Sequence, residues 1–242
     1  MQQQDPGAAP RVDRAASPSG VLSRACIETV EGYQLEIFDP ASHPDLWATY
    51  LEGALREYTR FRVTAALPYE ELLDGSGVSI GFVVIDDSTP VGGLRVHGPL
   101  QEAAQVAALR EMAESEGLEA LEQHVVQCLE AETVLESKGM WSDYDRADRR
   151  AIAECTSRCN VHALRIFNAD RALCTSAEHT AGLYEATGAV VIECAGSAPY
   201  PDDRYVTRAM EWVAADVPAR ADPIDYSNIC KEVARLASAP AV

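Results

Sequence analysis

A chain of 242 residues with 38 Asp and Glu against 20 Lys and Arg carries a formal net charge of −18 at pH 7, a field that opposes nucleic acid, whose phosphates need clustered cations. Hydrophobic residues at 47% and charged residues at 24% exclude fibrous and wholly disordered classes. No apolar run reaches the ~18–20 residues that span a bilayer, and no secretory signal pattern opens the chain, so a cytoplasmic protein without a membrane span is expected.

Residues 1–30, rich in Gln, Pro, Ala and Ser, are expected to form a disordered tail because they lack sustained apolar periodicity. The folded domain is expected over 31–213 and a C-terminal extension over 214–242. From Tyr33, YQLEIF alternates as a strand does, and Pro40, Pro44 and Asp45 introduce a helix through WATYLEGALREYTRFRV, with Leu46, Tyr50, Leu51, Ala54, Leu55 and Tyr58 as its core stripe. GVSIGFVVID and PVGGLRVHG, joined through Asp86, Asp87, Ser88 and Thr89, predict an antiparallel hairpin. An acidic helical region at 101–130 is divided near Gly117, where an interior glycine costs about 1 kcal/mol relative to alanine.

ETVLESKGMWSD then reads as a strand, DRADRRAIAECTSRCNVHAL as a helix and RALCTSA as a strand. EHTAGLYEATGA is a helix ending at Gly188, VVIECA and RYVTRAMEWV are strands about the loop SAPYPDD, and an amphipathic stretch lies near Ile229–Leu236. This order predicts an α/β fold, a mixed, mostly antiparallel sheet flanked by helices, rather than a Rossmann fold with its absent G-x-G-x-x-G turn. Seven thinly spread cysteines predict reduced thiols. Cys155 and Cys159 stand four apart, but neither a second pair nor a histidine has ligand spacing to match them, so no metal site is expected.

Three patterns stand in order: Gly92-Gly93-Leu94-Arg95 in VGGLRVHG, ESKGMW from Glu136 to Trp141, and HTAGLYEATGAVVI. The last is similar to a passage A-x-x-L-Y-x-x-x-G-F, and together they make residues 33–213 resemble the GNAT superfamily. Within it the pattern is most similar to N-acyl amino acid synthases and acyl-homoserine-lactone synthases. The resemblance implies a GNAT-like fold with a helical insertion, and an N-acyltransferase that moves an acyl group directly from a pantetheine thioester to a small-molecule amine. No bound cofactor is implied; acyl-CoA or acyl-phosphopantetheine is the co-substrate. GNAT enzymes that use coenzyme A carry R/Q-x-x-G-x-G/A, whose glycines let backbone amides approach the pyrophosphate. Here the match is Arg146-Ala147-Asp148-Arg149-Arg150-Ala151, with Arg149 in place of the first glycine. That departure resembles the synthases and implies acyl carrier protein as a possible donor and partner. Arg146, Arg149 and Arg150 then either bind the acidic carrier or its phosphate, or form a solvated helix face with Asp145 and Asp148.

The resemblance also assigns candidate roles. Glu136 is the expected general base, with Glu132 as the alternative should the register slip. Tyr184 is the expected acid for the leaving thiolate. Met140, Trp141 and Ser142 end a central strand where pantetheine amides would meet free backbone groups. Arg95 is read either as half of a structural ion pair or as a ligand for a substrate carboxylate. Cys174 and Cys194 have no local histidine that would mark an activated thiolate. Two other functions stay open: a coenzyme A-dependent N-acetyltransferase, and a noncatalytic GNAT-like module that binds an acyl thioester or a protein.

Overall fold

A computed structural model describes residues 23–238. Among them, one eight-stranded sheet runs in the order β1-β2-β3-β4-β5-β6-β8-β7. Its strands are β1 Arg24–Glu28, β2 Gln34–Phe38, β3 Ile80–Asp86, β4 Thr89–His97, β5 Val134–Ser142, β6 Arg171–Ala177, β7 Val190–Val191 and β8 Thr207–Val213. Every pairing is antiparallel except β5 with β6, which is parallel and holds only from Val134–Arg171 to Glu136–Leu173. The helices are α1 Pro44–Arg60, α2 Tyr69–Leu72, α3 Ala107–Glu111, α4 Leu118–Ala131, α5 Arg149–Ile166, α6 Glu178–Ala186, α7 Val217–Arg220 and α8 Pro223–Ser238. None of them is long and apolar enough to cross a membrane. All seven cysteines are free.

Alternation along the strands sends neighbouring side chains to opposite faces. Val83 and Trp141 pack with Trp47, Tyr50, Leu51 and Ala54 of α1, whereas Phe82, Val84 and Leu135 pack with Ile152, Cys155 and Cys159 of α5. The two long helices therefore cover opposite faces. The predicted insertion supplies α3 and α4, whose Ala108, Leu121 and Val125 lie over Val134, Leu173 and Ala209. Its break falls at Gly117, where a β-carbon would stand 2.2 Å from the Cys194 carbonyl oxygen. Asp87 and Ser88, at φ of 44° and 67°, form the two-residue turn of the β3–β4 hairpin, the left-handed pair that matches strand twist.

Two expected boundaries move. Arg24–Glu28, placed in the tail, is an edge strand in register with β2; Ala25 and Ile27 are buried, and Arg24 grips Glu36 with two N–H bonds of 2.9 Å. Residues 1–22 lie outside the described residues. At the other end, α8 packs on α5 and β1 with Ile229 and Glu232 buried, so the packed core continues past residue 213. Glu232 of α8 accepts N–H bonds from Arg158 of α5 at 3.0 and 2.8 Å.

Candidate active site

Where β5 leaves β6 after Glu136, the β6-facing edge of β5 loses its ladder partner. A cavity of about 370 Å³ opens there, walled by Ser137–Ser142 of β5, Thr175–Ala177 at the end of β6, the C-terminal end of α1, and Tyr184 and Tyr200. Its size suits a small-molecule site. The β4–β5 register shifts between Gly93 and Arg95, and Gly139 takes a left-handed φ of 61°, which glycine adopts without a steric penalty. Beneath this bulge, Tyr50 donates to the Gly139 carbonyl at 2.7 Å and Arg95 donates to the Tyr50 hydroxyl at 3.0 Å. A β-carbon on Gly139 would stand 2.0 Å from the Arg95 guanidinium.

Three carboxylates lie near the gap, and their partners distinguish them. Glu111, at the end of α3, accepts from Lys138 and Thr175 and is hydrogen-bonded to the Tyr200 phenol. Burial raises its pKa, but the Lys138 charge and these donors outweigh that and hold it below the ordinary value. Burial and Glu111 push Tyr200 up to about 12. Glu136 accepts backbone N–H bonds from Ala107 at 2.8 Å and Ala108 at 2.7 Å, one on each oxygen. Glu57, on the buried face of α1, is 3% exposed. Its Oε1 accepts from Arg56 at 3.0 Å, while Oε2 makes no hydrogen bond among the described residues and has Arg60 Nε 3.3 Å away. Ser137 Oγ and Trp141 Nε1 are also buried without a hydrogen-bond partner among the described residues, and all three residues line the cavity. Such orphans are rare in native interiors; here they share one space.

Tyr184 approaches from the other face of the sheet, edge-on to Trp212 with ring centroids 5.4 Å apart. Its hydroxyl makes no hydrogen bond among the described residues, and burial pushes its pKa well above the ordinary phenol value. It therefore keeps its proton at neutral pH. Burial also pushes the Cys174 thiol up to about 12, which leaves little thiolate for nucleophilic chemistry.

No family model matches the chain. The uncharacterized protein Rv1356c of Mycobacterium tuberculosis is 31% identical over 204 residues, covering 84% of this chain and 77% of the relative; the uncharacterized protein Mb1391c of Mycobacterium bovis matches equally. The chain belongs to this family. Among solved structures, FeeM, an N-acyl amino acid synthase from uncultured soil microbes, superposes with a TM-score of 0.56 at 11% identity, covering 74% of this chain and 97% of that one. BjaI, a CoA-dependent acyl-homoserine lactone synthase, gives 0.53 at 9% identity over 84% and 90%. The fold is thus the GNAT fold, as the three sequence patterns implied.

Within this GNAT fold, the expected site residues divide. Met140, Trp141, Ser142 and Tyr184 all line the cavity. Glu136 does not: it is 1% exposed, lies on the α3 side of the sheet, and has both oxygens engaged at the start of α3. Glu132, its alternative, pairs with Arg171 through two N–H bonds. Arg95 has no ion-pair partner among the described residues, contrary to one reading of it, and supports the bulge instead. Its Nε donates to His97 Nε2 at 3.2 Å, and burial together with the Arg95 charge lowers His97 to about 4. The imidazole is therefore neutral, and its Nδ1–H donates to the Gly77 carbonyl at 2.8 Å.

The three arginines also part. Arg146 makes two N–H bonds to Asp148, at 2.9 and 2.8 Å, and one of 2.5 Å to Asp86, while the Tyr33 hydroxyl donates to the same Asp148. Arg150 is exposed and pairs with Glu154 one turn on. Arg149 stacks 5.0 Å from the ring centroid of Tyr144, a cavity residue, so of the three it brings its charge to the cavity mouth. The sequence reading missed Glu57, Glu111, Lys138 and Tyr200. Glu57 carried a signal, because it continues the buried helical spacing of Tyr50 and Ala54. Glu111 carried none, since its contact with Lys138 crosses a loop and a second helix.

Proposed function

We propose that this chain is an N-acyltransferase that passes an acyl group directly from a pantetheine thioester, on acyl carrier protein or coenzyme A, to a small-molecule amine. One observation carries this reading: at the parting of β5 from β6, the Glu57 carboxylate, whose Oε2 accepts no hydrogen bond among the described residues, and the Tyr184 phenol reach the same cavity from opposite faces of the sheet. Pantetheine would lie along the free edge at Met140–Ser142, where backbone N–H groups polarise the thioester carbonyl. Glu57 Oε2 takes a proton from the amine, the C–N bond forms, and the C–S bond breaks. Tyr184 delivers its proton to the leaving thiolate; solvent then returns a proton to Tyr184 and takes the one that Glu57 gained. Glu136 is replaced as base by Glu57, whose Oε2 accepts no hydrogen bond among the described residues and has the Arg60 charge 3.3 Å away. Lys138, Glu111 and Tyr200 form the polar floor, and Arg149 at the mouth meets the donor's phosphate or an acidic carrier surface.

Free-thiol release from a panel of acyl-carrier and acyl-CoA thioesters, each with a panel of amines, tests the activity. Glu57→Gln keeps the shape of the side chain and should lower kcat by about 10²–10⁴-fold, the usual worth of a positioned base, while donor binding persists. An unchanged kcat would remove Glu57 from the chemistry. Donor binding without thiol release for any pair would make the protein a noncatalytic module.

A further inference from the structure

At the far end of β6 and β8 from the cavity, His124 and Cys128 project from one face of α4 toward Glu211 of β8. We propose that these three side chains form a divalent transition-metal site, best suited to zinc, that staples the inserted helix α4 to the central sheet. The His124 Nε2, the Cys128 Sγ and a Glu211 carboxylate oxygen all lie within 4.8 Å of one another. The pair on α4 stands four residues apart, the spacing that puts two side chains on one helix face.

The separations match a tetrahedral ion. With Zn–N of about 2.0–2.1 Å and Zn–S of about 2.3 Å, adjacent N and S ligands stand about 3.6 Å apart; His124 Nε2 and Cys128 Sγ stand 3.7 Å apart. His124 Nε2 and Glu211 Oε2 are hydrogen-bonded at 2.7 Å and need to open by roughly 0.6 Å to admit the ion. Imidazole, thiolate and carboxylate together favour zinc over magnesium or calcium, which take oxygen ligands. His124 is partly open to solvent, its side chain 26% exposed, which provides an entry path and room for water as fourth ligand.

Charge also closes. Arg171 bridges Glu132 and Glu211, so these three side chains together carry one net negative charge. Coordination replaces the Cys128 thiol proton by the metal, releasing it to solvent. The cluster then holds two negative charges against a dication. Arg171 also holds Glu211 Oε2, the oxygen that faces His124, so the ion takes that oxygen from Arg171, which stays on Glu132 through two N–H bonds. The sequence offered His124-x-x-x-Cys128, but its third ligand lies 87 residues beyond His124, which is why spacing alone pointed to no metal.

The test uses the full chain, stripped with a chelator and titrated with cobalt(II) in place of zinc. The expected result is one ion per chain, with tetrahedral visible bands and a near-ultraviolet thiolate-to-cobalt band that zinc abolishes. Cys128→Ser should erase the thiolate band, and His124→Gln should weaken binding at least tenfold while circular dichroism stays native. If Cys128→Ser fails to fold, His124→Gln and Glu211→Gln carry the test. Cobalt binding without a thiolate band, binding indifferent to these substitutions, or no binding at micromolar ion would overturn the site and leave an ordinary His124–Glu211 hydrogen bond. None of these outcomes depends on acyl transfer.

Discussion

Removing one carboxylate from α8 measures how far the fold depends on a segment that its sequence pattern assigned to an extension. The Arg158 side chain is 1% exposed and lies between Glu232, Glu31 and Asp225, with Glu232 also accepting from His162 at 2.9 Å. Taking one partner from a buried pair costs about 3–5 kcal/mol, chiefly because the other charge stays desolvated. Glu31 remains on Arg158 at 2.6 Å, so Glu232→Gln belongs near the lower limit, about 3 kcal/mol. For a domain of this size each kcal/mol lowers Tm by about 2–4 °C, so the melt should fall by about 6–12 °C.

Arg158→Met with Glu232→Leu removes both charges and should recover part of the loss, since apolar replacement of a buried pair is often neutral while His162 still loses its acceptor. Acid carries a matching signature. Burial raises the Glu232 pKa, but His162 and Arg158 outweigh it and bring it from 4.5 to about 2. A carboxyl depressed in the folded state stabilises above its unfolded pKa, and that stability is lost as pH falls from 4.5 toward 2. Thermal melts of the wild type, the single variant and the double variant, each across pH 2–7, report both effects. A Glu232→Gln melt within about 1 °C of wild type would show that α8 stands outside the cooperative core.

Three further outcomes follow from the cavity wall. Gly139→Ala should cost about 1–3 kcal/mol, because a β-carbon at positive φ is strained and would displace the Tyr50–Arg95 support; an unshifted denaturant midpoint would contradict that role. Tyr184→Phe should lower kcat more than it changes KM, with the loss greatest for thioesters with the most basic leaving thiolate; equal loss across leaving groups would count against an acid. Arg149→Gln should raise KM for a carrier-borne donor and flatten its salt dependence, whereas Arg150→Gln should change neither, and equal effects from the two would refute the division drawn between them.

Local chemistry made much of the fold legible. The turn formers at 86–89 sit between two β-rich runs, and Gly188, at φ of 98°, follows the end of α6 where it was expected. The stretch VVIECA fared less well: only Val190–Val191 is strand, because Glu193–Ala195 turns into a single 3₁₀ turn whose Ala195 carbonyl receives the Ser115 hydroxyl. That partner comes from the insertion, so no local pattern reports it. The limits at 30 and 213 failed for a similar reason. Arg24–Glu28 and α8 each acquire partners, Glu36 and Arg158, from elements outside their own sequence windows.

The ESKGMW segment directed attention to a strand that lines the cavity, but the Glu136 carboxylate itself does not reach it. Ser137 faces the cavity, whereas Glu136 lies on the face covered by the insertion. Its carboxylate is held by the first N–H groups of α3, which lack helical partners. The same short helix ends at Glu111, which holds Lys138 two residues farther along the strand. The insertion therefore docks on Glu136 and returns a carboxylate to Lys138, two residues farther along the same face. Glu136 shapes the cavity floor through α3 without touching the cavity, so a strand pattern can mark position 136 while the carboxylate that lines the cavity with an oxygen lacking a hydrogen bond among the described residues belongs to α1.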